Sequence, residues 1–154
     1  MKKGTYLVLH NIRSVHNVGS IFRTADAAGV LKIFSSGYTP VPTDRFGRAR
    51  KDFAKVSLGA EKTVMWEHVA DTASCLSDLK RRGVFVVGVE QSAESIDYRK
   101  TPRVFPRAFV FGNETEGAPP EILSQCDAVV AIPMRGKKES LNVSVAAGIV
   151  LFNS

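Results

Sequence analysis

Three turns hold the residues best suited to chemistry, and the most informative is the last. Ser140-Leu141-Asn142-Val143-Ser144-Val145-Ala146-Ala147-Gly148 runs into Ile149-Val150-Leu151-Phe152. Chain ends usually fray in water, so an apolar ending is expected to be buried, with Ser140 and Asn142 at its mouth. Gly136, Lys137 and Lys138 lie just upstream. A helix that starts here presents free N–H donors and a positive dipole end, suited to phosphate or carboxylate. Ser140 or Asn142 equally suits the ordinary role of N-cap. In a second turn, Phe111-Gly112-Asn113-Glu114-Thr115-Glu116-Gly117, two glycines bracket two carboxylates directly after an apolar run. Glycines there let backbone approach a ligand, although an ordinary strand-to-helix loop reads the same way. The third is Asn17-Val18-Gly19-Ser20-Ile21-Phe22-Arg23. Six residues span about 1.7 helical turns, so Asn17 and Arg23 do not share one tight helix face. Arg23 is either a functional cation or a solvated one flanked by core residues.

Several familiar sites are excluded. There is no GxGxxG, and Gly136-Lys137 lacks the upstream glycine of a phosphate-binding loop. There is no GxSxG nucleophile elbow. His10, His16 and His68 have no metal-ligand spacing with one another or with Cys75 and Cys126, so no metal is expected.

The elements that must carry these turns alternate in type. Tyr6–His10 reads as a strand, and Val15–Ala28 as a helix with Val18, Ile21, Phe22, Ala25 and Ala28 on one stripe. Gly29 sits where a terminating glycine belongs. Lys32–Ser35 and, more weakly, Val64–Trp66 read as strands. Asp71–Arg82 reads as a helix, capped by Asp71 and closed by Lys80-Arg81-Arg82-Gly83. Val84–Val89, Ala108–Phe111 and Ala128–Ile132 are unbroken apolar runs, as in strands covered on both faces. Pro119-Pro120 starts a short helix over Glu121–Gln125. Thr39–Ala60 reads as a long functional loop. This alternation implies an α/β domain on a mostly parallel sheet with helices on both faces. Ligands bind such sheets beyond the carboxyl ends of the strands. Glu90-Gln91, Gly112–Gly117 and Pro133–Ser140 all follow strands.

The chain has 154 residues, one domain by size, with a net charge of +6. That basic balance favours a polyanionic partner. Arg45-Phe46-Gly47-Arg48-Ala49-Arg50-Lys51-Asp52-Phe53-Ala54-Lys55 concentrates cations around two aromatic rings. Cations neutralise phosphates and rings stack on unpaired bases; the alternative is a solvated loop with both rings in the core. No apolar run reaches the length of a membrane span. The start is too short for a secretory signal, and two unpatterned cysteines fit a reducing compartment. A cytoplasmic protein is therefore expected.

Taken together, the three turns resemble the motifs of the SpoU (TrmH-type) family of RNA ribose methyltransferases, within the SPOUT superfamily. Asn17–Arg23 with Thr24-Ala25 looks like its first motif, Phe111–Gly117 like its second, and Ile132-Pro133-Met134 with Ser140–Ala146 like its third. The match spans Asn17 to Phe152. The resemblance implies a single domain over residues 1–154 with a deep C-terminal trefoil knot and no appended RNA-binding domain. It also implies a homodimer with Asn142–Phe152 at its interface. S-adenosyl-L-methionine would be held by Val89, Glu90, Gly112, Asn113, Ile132, Met134, Ser140 and Leu141.

The implied reaction is methyl transfer to a ribose 2′-hydroxyl of RNA, with transfer RNA favoured over ribosomal RNA because no RNA-binding extension is seen. Arginine side chains stay protonated in proteins, so Arg23 is expected to hold the developing oxyanion or its phosphate rather than act as a general base. Asn17, Glu114, Ser140 and Asn142 would orient Arg23, the ribose and the cofactor, with Glu114 pairing Arg23. Arg45, Arg48, Arg50, Lys51, Lys137 and Lys138 would contact RNA phosphates. Two other readings stay open: a SPOUT enzyme that methylates a base nitrogen, and a non-catalytic RNA-binding or assembly protein on the same fold.

Overall fold

Apolar runs too short for helices settle into strands, and the longer amphipathic stretches between them cover the resulting sheet. In the computed structural model, which describes residues 1–153, the strands are β1 (Thr5–His10), β2 (Lys32–Ser36), β3 (Met65–Val69), β4 (Phe85–Val89), β5 (Ile96–Asp97), β6 (Arg107–Phe111) and β7 (Ala128–Ala131). They form one sheet in the order β3-β2-β1-β6-β4-β7-β5. All pairings between these strands are parallel. Leu9 and Val89 both stand in register with Phe111, and Val89 with Val130. The carboxyl ends of four central strands therefore finish level.

The helices are α1 (Val15–Ala27), α2 (Lys51–Ser57), α3 (Ala60–Thr63), α4 (Thr72–Arg81), α5 (Pro120–Leu123) and α6 (Val143–Phe152). Strand side chains alternate between two apolar layers. Leu7, Leu9, Ile33, Val87, Phe109 and Phe111 pack beneath α1, α2 and α6. Tyr6, Val8, Phe34, Val86, Ala108 and Val110 pack beneath α4 and α5. Helices thus cover both faces. No helix among the described residues is long and apolar enough to cross a membrane.

Helix α1 is specified at both ends. Ser14 caps it by accepting the Asn17 N–H at 3.1 Å. Gly29, at φ +72°, closes it. The Gly29 N–H donates to Asp26 O and the Val30 N–H to Ala25 O, the double bond of a Schellman termination. Asp71 caps α4 through the Ser74 N–H at 2.8 Å, as expected.

Three expectations need correction. Thr39–Ala60 is not one loop, because it holds α2 and the start of α3. Two strongly apolar residues, Phe53 and Val56, are too few to show a helical period in α2, yet the Phe53 ring meets Phe22 edge-on at 5.0 Å and is fully buried. The helix approaches α1 closely at Gly19, where a Cβ would lie 2.9 Å from Val56 Cβ. Strand β5, only two residues long, escaped the sequence reading. The apolar C-terminal segment is only partly buried: Val145 is 50% exposed and Phe152 64% exposed. Ala147, Val150 and Leu151 supply its buried side.

Candidate functional site

The level strand ends leave four loops facing one another, and side chains from each loop bind the next. After β6, the Asn113 Oδ1 accepts the N–H groups of Thr115 and Glu116 at 2.9 and 3.0 Å, folding the turn locally. Its Nδ2 donates to Asn11 O at 2.8 Å and to the Tyr38 hydroxyl at 2.9 Å. Glu114 reaches the head of α1, where its carboxylate accepts the N–H groups of Arg13 and Ser14 at 3.0 and 2.9 Å. Asn17 Nδ2 also donates to Glu114, at 3.3 Å. Asn142 Nδ2 in turn donates to Asn17 Oδ1 at 3.1 Å, while Asn142 Oδ1 caps α6 through the Ser144 N–H at 2.9 Å. A directed chain Asn142→Asn17→Glu114 therefore joins all three motifs.

After β4, Glu90 crosses to the Gly112–Gly117 turn and accepts the Ala118 N–H at 2.8 Å. Gln91 donates to Ile132 O at 2.7 Å, tying the loop after β7 to the same wall. Gly112 is required for space. A Cβ there would lie 2.2 Å from Ala118 N and 2.3 Å from Gly117 C.

These loops enclose a cleft of about 510 Å³. Asn17, Val89, Glu90, Gly112, Asn113, Glu114, Ile132, Ser140, Leu141 and Asn142 all line it. Among the described residues, Glu116 and Glu139 bring the lining carboxylates to four, and no lysine or arginine lines the cleft. An acidic cleft in a chain of net charge +6 favours a ligand with positive charge. Burial pushes the Glu114 carboxyl up, but the Arg13 and Ser14 N–H groups and the Asn17 amide outweigh it, so it titrates below the ordinary glutamate value.

Other expected site residues stand elsewhere. Met134 is half-buried and does not line the cleft. Lys137 and Lys138 are exposed and outside it, so the cleft is not the phosphate cradle that a lysine-rich helix mouth suggested. Arg23 is exposed on α1 and also outside the lining. Its expected pairing with Glu114 does not form, because that carboxylate is turned to backbone donors and Asn17. Asn17 faces the cleft from the first turn of α1, and six residues further on the helix has carried Arg23 about 9 Å along its axis.

In the basic segment, Arg48 pairs with Asp44 and Arg50 with Asp52, while Arg45 and Lys51 are exposed. Its two rings part ways. Phe53 enters the core, and Phe46 stands 66% exposed, with the Arg45 and Arg48 guanidiniums 4.8 and 5.0 Å from its centre. Sequence reasoning missed Tyr38, which reaches Asn113 from the turn after β2 and carries no motif. Gln91, marked there only as part of the segment after a strand, was not assigned to the cofactor, yet it lines the cleft.

The model of the family described as "SpoU rRNA Methylase family" matches residues 4–152. The 23S rRNA (guanosine-2'-O-)-methyltransferase RlmB of Ralstonia nicotianae is 40% identical over 148 residues, 96% of this chain and 57% of that protein. The tRNA (guanosine(18)-2'-O)-methyltransferase of Aquifex aeolicus is 35% identical over 153 residues, 99% of this chain and 69% of that one. A structure of the AdoMet-bound rRNA methyltransferase from Sinorhizobium meliloti superposes with a TM-score of 0.83 at 32% identity, covering 99% of this chain and 56% of that one. The chain spans a little over half the length of most such curated relatives, 57% and 56% in two cases.

Proposed function

This chain belongs to the SpoU rRNA methylase family, and on that premise we propose that it transfers a methyl group from S-adenosyl-L-methionine to a ribose 2′-hydroxyl of RNA. The observation that carries the reading is the four-carboxylate cleft at the carboxyl ends of β4, β6 and β7, with a wall built by the Gly117–Ala118 backbone packed against Gly112. When bound, the cofactor supplies a methyl group made electrophilic by its sulfonium. Val89, Glu90, Gly112, Asn113, Ile132, Ser140 and Leu141 hold it in the cleft, and the carboxylates favour its positive charge. Asn17, Glu114 and Asn142 fix the floor at which the ribose meets the cofactor.

Arg23 holds the 2′-oxygen or its phosphate in this reading, and it does so from a second copy of the chain. Val145, Ile149 and Phe152 form an apolar stripe on α6 with Val145 and Phe152 largely exposed. Helix α1 lies alongside, with Thr24 Cγ2 3.7 Å from where a Cβ of Gly148 would stand. A partner laid on this α1–α6 face covers the stripe and carries each Arg23 toward the other copy's cleft. Phe46 with Arg45 and Arg48, together with Arg50, Lys51, Lys137 and Lys138, contacts the RNA.

Transfer RNA is the first substrate class in this proposal. Ribosomal RNA is the second reading, favoured by the 23S rRNA specificity named for the Ralstonia relative. The test is methyl transfer from labelled cofactor to transfer RNA and ribosomal RNA transcripts, followed by nuclease digestion. Label in nuclease-resistant dinucleotides is expected. Label in mononucleotides would support base methylation instead, and absence of cofactor binding by calorimetry would support a non-catalytic RNA-binding protein. Arg23→Ala is expected to lose turnover while cofactor binding persists; full turnover would remove Arg23 from the mechanism.

A further inference from the structure

The amino-terminal ends of the strands, opposite the cleft, hold a buried cation with no anion among the described residues. Arg107 opens β6, in register with Thr5 on one side and Phe85 on the other, and is 1% exposed. Its Nε donates to Thr5 Oγ1 at 3.4 Å. Its Nη1 is buried without a hydrogen-bond partner. The guanidinium lies 4.5 Å from the Phe105 ring centre and 5.0 Å from that of Phe109. No carboxylate among the described residues pairs with it. Burial pushes the Arg107 guanidinium's pKa down, and the nearby Arg103 adds to the effect.

Ring faces attract a guanidinium, but they accept none of its in-plane N–H groups. A buried charge lacking a counterion is among the costliest arrangements a fold can hold. The C-terminal end of α6 lies near and offers only a partial negative charge. Beside Arg107 is a small recess of about 60 Å³ lined by Arg99, Thr101, Arg103, Arg107, Val150 and Asn153. No carboxylate among the described residues lines it, and Arg99 of the lining pairs with Asp97. Arg103 is exposed and forms no ion pair among the described residues.

We propose that this recess is a phosphate-binding site, with Arg107 as its buried donor and Arg103 as its outer arm. A guanidinium presents parallel N–H groups that match two oxygens of one phosphate. Asn153 adds a neutral polar group to the lining, while the Thr101 hydroxyl already donates to Tyr98 O. Arg107 lies four strand steps, about 13 Å, from Phe111 of the cleft wall, so the recess is separate from the cofactor cleft and opposite in charge. The phosphate comes either from the RNA backbone or from a free phosphate compound.

The test is a titration with inorganic phosphate at constant ionic strength, followed by calorimetry and phosphorus NMR. Saturable binding of one phosphate per chain is expected. Arg103→Ala, a surface change that leaves the core intact, is expected to weaken it about tenfold or more, as loss of a hydrogen-bonded charge does. Arg107→Met is expected to abolish it while keeping the fold, since a buried cation replaced by a similar apolar chain is tolerated. If Arg107→Met fails to fold, Arg103→Ala still decides. No saturable binding, or unchanged binding in Arg103→Ala, would overturn the proposal. The same variants then locate the source. An RNA phosphate predicts weaker transfer RNA binding in Arg103→Ala and a salt slope reduced by about one. A free phosphate predicts unchanged RNA affinity with phosphate binding lost. Neither readout involves methyl transfer, so failure here leaves the proposed activity untouched, and the reverse.

Discussion

Gly112→Ala tests whether the turn after β6 is packed so closely that its own backbone fills the place of a side chain. The added methyl would stand 2.2 Å from Ala118 N, 2.3 Å from Gly117 C and 2.7 Å from Ala118 Cα. Ordinary contact begins near 3.4 Å, so the closest approach falls 1.2 Å short. All three obstructing atoms are backbone, and no side chain can swing aside. The Gly117–Ala118 peptide must move, and with it the 2.8 Å bond from the Ala118 N–H to Glu90. Overpacking of this kind costs about 1–3 kcal/mol, and a hydrogen bond to a charged acceptor contributes about 1.5–3 kcal/mol more. Partial relaxation of the turn brings the expected loss to about 2–4 kcal/mol. Urea denaturation measures it. Because Gly112 and Glu90 both line the cleft, calorimetry with S-adenosyl-L-methionine should show affinity reduced by about tenfold or more. A variant within about 0.5 kcal/mol of the parent, with unchanged cofactor affinity, would refute both the packing argument and the placement of the cofactor.

Three further outcomes are expected. Glu114→Gln keeps the size but loses an acceptor for the head of α1, costing about 1–2 kcal/mol at neutral pH. Because the folded carboxyl titrates below its ordinary value of 4.5, its stabilisation is full above that value and fades as pH falls through the lower folded value. Denaturation curves for parent and variant should therefore converge in acid, and a constant gap down to about pH 3 would contradict the assigned hydrogen bonds. Phe46→Ala should leave stability within about 0.5 kcal/mol yet weaken RNA binding by about 1–3 kcal/mol if the ring stacks on a base; unchanged filter binding would remove the ring from the interface. Burial pushes the Cys75 thiol up to about 12 and that of Cys126 up to about 11. Native protein should resist iodoacetamide near pH 8, having less than about a hundredth of the thiolate of free cysteine, and rapid native labelling would contradict their burial.

Much of this protein is determined by local sequence. Alternation of apolar runs with amphipathic stretches set the α/β class, and the runs at Val84–Val89 and Ala108–Phe111 marked strands buried on both faces. Ser14, Gly29 and Asp71 end their helices by short-range hydrogen bonds, which are local by nature. The glycines and amides after β4, β6 and β7 were legible as a site because parallel strands gather their carboxyl ends. What the sequence could not carry was reach. Helix α2 exists because Phe53 finds Phe22 and because Gly19 admits Val56, distant partners that no local periodicity reveals. Arg23 and Glu114, complementary on paper, do not meet, since backbone donors at the head of α1 take the carboxylate first and the helix axis carries the arginine away. The acid lining of the cleft and the lone cation of Arg107 emerge only when distant residues are brought together, because charge acts through space and the order of residues along a chain does not fix distance.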